Sequence, residues 1–241
     1  MYLIKKSEVG KIAKALAADY QLYGPYVDGV SGQVMFDRVD DPGVIDLSAA
    51  IPAIPPKNVV FPQMECVYKY KYDRQKKSVE TTMVNSVKPK ALFGLRSCDL
   101  TGMRVLDRFF MGQEFVDEFY LNNRKRMFIV TNTCVTPFAQ CFCACTDSGP
   151  AAKEGYDLNL TEIGDSYLVE AGSDRGKELA DKLGLEKADD GYAAKKKEVV
   201  DKALDSFTGF ATENKAWVSR VTNRVTTGFI KDEVWEYIGD Q

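Results

Sequence analysis

Val9, Ile12, Ala13 and Leu16 recur at helical spacing, and Ser7 stands where it can cap the turn before them, so an amphipathic helix packed on a sheet is expected near the start of the chain. From Tyr23 to Val39 short alternating runs are broken by Gly and Pro, the pattern of a hairpin or two edge strands. Pro52, Pro55 and Pro56 make a loop of residues 51–57. MECVYKYKY then alternates like a strand, with Cys66, Tyr68, Tyr70 and Tyr72 on one face, where Cys66 reads as a small packed residue rather than a ligand.

ALFGLRS reads as a buried strand, Asp99 is placed to cap the helix LTGMRVLDRFF, a second helical stretch runs through EFVDEFYLNNRKR, and MFIVTNT is another strand. If the two strands of this unit are parallel neighbours, their carboxyl ends share one sheet edge. Beyond TDSGP, the runs YDLNLTEI and SYLVEA form a hairpin around Gly164 and Asp165. From about Asp174 the spacing in GKELADKLG, KKKEVVDKALDSF, ENKAWVSRVTNRV and KDEVWEYIG is helical. The expected fold is α/β (or α+β), a mixed sheet with flanking helices over residues 1–173, followed by a helical extension over residues 174–241.

Composition narrows the chemistry. The chain contains no histidine, which removes imidazole acid–base catalysis, His-dependent nucleophiles and His-ligated zinc. A net charge of −3 does not steer the molecule toward nucleic acid or anionic lipid, and NNRKRM and AAKKKEVVDK are short enough to be solvated faces. No apolar run reaches the roughly 18 to 20 residues of a membrane span, and the first residues lack the layout of a secretory signal. A cytoplasmic location with free thiols is expected. Asp117 and Glu118 read as a solvated helix face, and no catalytic acid, base or nucleophile is assigned.

Sulfur is what remains. Cys134, Cys141, Cys143 and Cys145 lie within twelve residues, and Cys98 sits where a strand ends. The ends of parallel strands are where open α/β sheets bind ligands, so Cys98 and Cys134 are expected to converge. Cys141 and Cys143, two apart in an extended run, can present both sulfurs to one object, and VTPFAQ is long enough to bring Cys134 to it. Four thiolates suit an iron–sulfur cluster or a tetrahedral zinc. Paired C-x-x-C knuckles, usual for zinc and for redox dithiols, are absent, which favours the cluster. Cys145 ranks behind Cys98 for the fourth position, because three ligands spaced two apart would lie on a line. Phe138 and Phe142 flank the ligands, and Phe109 and Phe110 are candidates to close the site. Arg96 either offsets cluster charge or pairs with Asp99 or Asp107.

At these residues the chain resembles a known family, the iron–sulfur β subunits of sulfhydrogenase-type nickel–iron hydrogenases together with the corresponding iron–sulfur subunit of anaerobic sulfite reductase. The likeness runs through KPKALFGLRSCDL, VLDRFF, NTCVTPFAQCFC, DSGP and YDLNLTEIGDSYLVEAGSDRG, most of residues 50 to 180. It implies an electron-transfer subunit carrying one [4Fe-4S] cluster on Cys98, Cys134, Cys141 and Cys143, working with other redox subunits and without membrane insertion. The family carries Thr or Ser where this chain has Ala144 and Cys145. Its members continue into a ferredoxin-like segment with two C-x-x-C-x-x-C-x-x-x-C-P runs, whose lead-in DEVWEYIGDQ resembles. The resemblance implies that this module belongs to a longer polypeptide or is supplied by a partner. Two other readings stay open: a zinc-stabilised interaction module without redox activity, and an enzyme half-site in which an open cluster position or nearby pocket reduces a small sulfur compound.

Overall fold

A computed structural model describes residues 1–49, 51–84, 88–207 and 233–239. Eight strands form one mixed sheet: β1 (Tyr2–Lys5), β2 (Gln21–Val27), β3 (Val34–Arg38), β6 (Lys90–Arg96), β7 (Met127–Asn132), β8 (Leu158–Ile163), β9 (Ser166–Ala171) and β10 (Glu186–Lys187), in the spatial order β10-β1-β9-β8-β7-β6-β2-β3. β2, β6, β7 and β8 are parallel, and the remaining pairings are antiparallel. The α/β expectation holds.

The two faces follow from side-chain alternation. Ala91, Phe93, Phe128, Val130, Leu158 and Leu160 pack with Ile12, Ala13 and Leu16 of α1 (Gly10–Asp19) and with Ala180 of α4 (Asp174–Lys182). On the opposite face Leu92, Leu95, Met127 and Ile129 pack with Leu100 and Met103 of α2 (Ser97–Met111) and Tyr120 of α3 (Glu118–Lys125). Each fully buried Leu, Ile or Phe contributes about 1.5–3 kcal/mol of hydrophobic stabilisation.

Strict alternation would place Leu92, residue 94 and Arg96 on one face. Instead the register between β6 and β7 shifts between Phe93 and Leu95, with Gly94 at φ +83°. A β-carbon there would sit 2.6 Å from Leu47 Cδ2. This bulge turns Leu95 onto the face of Leu92 and leaves Arg96 beside Asn132, its register partner on β7.

Several expected details differ. α1 begins at Gly10 after a 3-10 turn at Lys6–Glu8, and no side chain caps it, so Ser7 is not the cap. β2 and β3 form the expected hairpin, but β2 also pairs with β6, so only β3 is an edge strand. α2 starts at Ser97, three residues early, so Asp99 lies inside its first turn instead of capping it. Asp117 caps α3 by accepting from the Tyr120 N–H. The MECVYKYKY segment is strand only as β4 (Tyr68–Asp73), paired with β5 (Ser78–Met83) in a separate ribbon. That ribbon covers no core, so Cys66 and the three tyrosines are exposed rather than packed.

The β8–β9 hairpin turns at Gly164 as expected. Beyond it, Ser173 caps α4 by accepting from the Gly176 N–H, and β10 pairs with β1 before α5 (Gly191–Asp205). ENKAWVSRVTNRV lies outside the described residues, and a last helix, α6, spans Val234–Gly239. No helix among the described residues is long and apolar enough to cross a membrane.

Candidate metal centre

Two strand ends and one loop supply the thiols. β6 delivers Cys98 into the first turn of α2, and β7 delivers Cys134 two residues past its end. β6 and β7 are parallel neighbours, so both thiols stand at the same edge of the sheet. The Cys134 N–H donates to the Pro150 carbonyl at 3.1 Å, which draws the end of the cysteine loop back against its start.

The loop is not extended. Cys141 N–H donates to the Phe138 carbonyl at 2.9 Å, Cys145 N–H to the Phe142 carbonyl at 2.8 Å, and Ser148 N–H to the Cys143 carbonyl at 3.0 Å. Residues 143–147 are successive turns. The expectation that Cys141 and Cys143 share a face through strand alternation is therefore corrected: turns bring their sulfurs together. Cys145 is 1% exposed and clusters with Phe207, and Cys141, Cys143, Ala144 and Leu204 pack against that pair.

The charges of the thiols register on one another. Burial pushes the Cys98 thiol up to about 12, with Asp99, Cys134 and Cys143 adding to the rise. Cys98 is exposed by surface area, yet its sulfur is crowded enough for desolvation to dominate. Cys143 is raised to about 11, by burial first and then by Cys134 and Cys141. Burial also raises Cys134, with Cys141 contributing and Arg96 opposing. Charge interactions thus link the four thiols in a chain, Cys98 with Cys134 and Cys143, and these two with Cys141.

Hydrogen-bond donors surround these sulfurs. Arg96 Nη1 donates to Cys134 Sγ at 3.6 Å, Nη2 donates to the Ala49 carbonyl at 2.8 Å, and the guanidinium lies 5.5 Å from the centre of the Phe138 ring. Asp107 is bonded instead to Arg124, whereas the Arg96 charge acts on the Asp99 carboxyl as well as on Cys134, opposing the rise that burial gives both. The Phe138 N–H donates to Cys141 Sγ at 3.3 Å. The nearby backbone N–H groups of Cys143 and Ala144 draw the Cys143 thiol down against the effect of burial. Such donors stabilise thiolates and are the means by which a protein tunes a sulfur-ligated metal.

Sequence reasoning missed two neighbours. A β-carbon on Gly149 would fall 2.7 Å from Cys143 Sγ and 2.8 Å from Ser97 Oγ, so the missing side chain is what lets sulfur and hydroxyl approach. The turn residues TDSGP were the available signal for Gly149; Ser97 had none. Phe109 and Phe110 do not close the site, because Phe109 is exposed and Phe110 stacks on Tyr120 at the far end of α2. Phe142 is exposed.

Among the described residues, no three Cys, Asp or Glu side chains are gathered tightly enough to hold a single metal ion. A tetrahedral zinc with Zn–S bonds of 2.3 Å needs its sulfurs roughly 3.8 Å apart. Beside the thiols a cavity of about 450 Å3 is bounded by Pro25, Leu47, Arg96, Asn132, Cys134 and Phe138.

Over 159 residues, 66% of its length, the chain is 29% identical to the sulfhydrogenase 2 subunit beta of Pyrococcus furiosus. The chain spans 44% of that relative's length. No family model matches the chain, and no solved structure matches it.

Proposed function

We propose that this chain is an electron-transfer subunit that holds one [4Fe-4S] cluster through Cys98, Cys134, Cys141 and Cys143 within a hydrogenase-related redox complex in the cytoplasm. The observation that carries the reading is the convergence of four thiols at the carboxyl edge of β6 and β7, where Cys134 and Cys143 act on Cys98, and Cys141 acts on Cys134 and Cys143. The likeness to a sulfhydrogenase β subunit supports a place in a redox assembly. Its partners would be other redox subunits, including ferredoxin-like clusters.

The donor set fits such a centre. Four sulfurs with no imidazole suit iron–sulfur ligation, and the lack of paired C-x-x-C knuckles favours a cluster over zinc. When bound, the cluster supplies a one-electron relay. Arg96 and the Phe138, Cys143 and Ala144 N–H groups hold negative charge on sulfur, and the N-terminal turn of α2 adds its own positive potential, about 0.3–1 kcal/mol for a nearby anion. Burial on the sheet side limits water around the thiols.

Anaerobic purification followed by iron, acid-labile sulfide and zinc analysis tests the proposal. A brown protein with about four irons and four sulfides per chain supports the relay. A colourless protein holding one zinc would replace it with the interaction-module reading.

The 450 Å3 cavity against Cys134 favours a second reading, an enzyme half-site in which a small sulfur compound meets the centre. That reading requires an exchangeable non-cysteine position. Serine replacement of each thiol in turn would then reveal only three that the centre needs.

A further inference from the structure

Among the described residues, two buried side-chain oxygens have no hydrogen-bond partner, Asn132 Oδ1 and Ser97 Oγ. Asn132 still uses its amide, donating to the Leu47 carbonyl at 3.0 Å. Ser97 is 3% exposed, and its hydroxyl has no such use. A hydroxyl sealed from water without an acceptor is costly, and native interiors rarely keep one.

The location of this hydroxyl suggests its acceptor. Ser97 is the first residue of α2, directly before Cys98, and its Oγ and Cys143 Sγ face the same point, the place a Gly149 side chain would fill. Two of the four proposed ligands therefore flank one buried, unused donor. The bare Gly149 leaves room there.

We infer that the Ser97 hydroxyl donates a hydrogen bond to a sulfur of the loaded centre beside Cys143 and thereby raises its reduction potential. The inference rests on the cluster reading above. Reduction adds one electron to the centre, and the hydroxyl keeps its proton; no bond forms or breaks in the protein. The added negative charge strengthens an O–H···S hydrogen bond, so the reduced form gains more from Ser97 than the oxidised form does.

The test is Ser97→Ala, compared with the unsubstituted chain both loaded and stripped. Iron and sulfide content should match. The reduced-to-oxidised ratio at a fixed potential should fall by up to tenfold, a shift of up to roughly 59 mV for one electron. In the stripped protein the substitution should leave the melting temperature unchanged or raised, because it removes an orphaned group. A purely structural hydroxyl would instead lower it in both forms. Equal potentials in the two loaded proteins, a lower melting temperature in the stripped variant, or a variant unable to hold iron would each overturn the inference while the cluster reading stood. If the unsubstituted chain itself takes up no iron, the cluster reading fails and this inference with it.

Discussion

Arg96 Nη1 lies 3.6 Å from Cys134 Sγ, and the other arm of the same guanidinium is tied to the Ala49 carbonyl at 2.8 Å. The Gly94 bulge makes this possible, because without it Arg96 would point to the α2 face and away from Asn132 and Cys134. The charge is therefore fixed in place before any centre is loaded. Arg96→Gln removes the charge and, being two bonds shorter, the contact with Cys134 Sγ. Iron content should persist and the midpoint potential should fall, with about 59 mV for each tenfold change in the one-electron ratio. Arg96→Lys should recover only part of the loss, since one ammonium cannot serve sulfur and carbonyl in the same fork geometry. A redox titration followed by electron paramagnetic resonance measures both, and a potential unmoved by Arg96→Gln would show that this cation does not act on the centre.

Gly149→Ala should damage the site more than its size suggests. The new methyl would lie 2.7 Å from Cys143 Sγ, 2.8 Å from Ser97 Oγ and 3.2 Å from Cys143 Cβ, so the cysteine loop or the start of α2 must move. Overpacking of this kind costs about 1–3 kcal/mol. Iron per chain should drop together with the melting temperature, and normal loading with an unchanged melting temperature would show that the gap is not needed.

Without its centre, the protein should lose stability in alkali. The Cys98 and Cys143 thiols rise from 9.0 to about 12 and about 11 in the folded state, so above pH 9 the folded chain binds more protons than the unfolded one. Stability then has a negative slope with pH. It should be level below about pH 8 and fall as pH climbs through 9 toward 11 and 12, following the thiol that unfolds into water. Denaturant melts of the stripped protein at several pH values will show this, and Cys98→Ala should flatten part of the decline. Loading demands deprotonated sulfur, so uptake of iron and sulfide should release protons and speed up between pH 7 and 9.

The sheet core was legible because ALFGLRS and MFIVTNT are short apolar runs that form buried strands, and YDLNLTEI and SYLVEA flank a Gly-Asp turn. The parallel pairing of β6 and β7, inferred from a short helical crossover, followed from handedness and connection length alone. Caps were less legible: Ser7 and Asp99 are good capping residues, yet backbone geometry started α1 at Gly10 and α2 at Ser97. The tyrosine alternation at Tyr68, Tyr70 and Tyr72 signalled a strand correctly but a buried face wrongly, since alternation does not say whether anything covers the ribbon. Cysteine spacing pointed to one edge of the sheet. It could not reveal the turns that seat Cys143, because consecutive turns and an extended run can place sulfurs two residues apart on the same side. Gly94 and Gly149 matter through atoms far away in sequence, Leu47 for one and Ser97 for the other, and no local pattern encodes that.

Three cysteine-to-serine substitutions separate ligand, core and surface thiols. Cys143 is flanked by backbone donors and sits within charge range of Cys98, Cys134 and Cys141, so Cys143→Ser should abolish or sharply reduce iron binding while the stripped chain still folds. Cys145 is 1% exposed and packs with Phe207 and Leu204 behind Cys141 and Cys143. Cys145→Ser places a stronger polar group in that cluster, which should lower stability by about 1–3 kcal/mol in loaded and stripped protein alike and leave iron per chain intact. Cys66 is exposed, with its thiol 3.7 Å from the Tyr68 carbonyl, and Cys66→Ser should change neither iron content nor stability by more than about 0.5 kcal/mol. Iron analysis and thermal melts on the three variants decide the matter. Loss of iron in Cys145→Ser with retention in Cys143→Ser would exchange the two residues' roles, and the centre would then lie toward Phe207 and α5 rather than at the ends of β6 and β7.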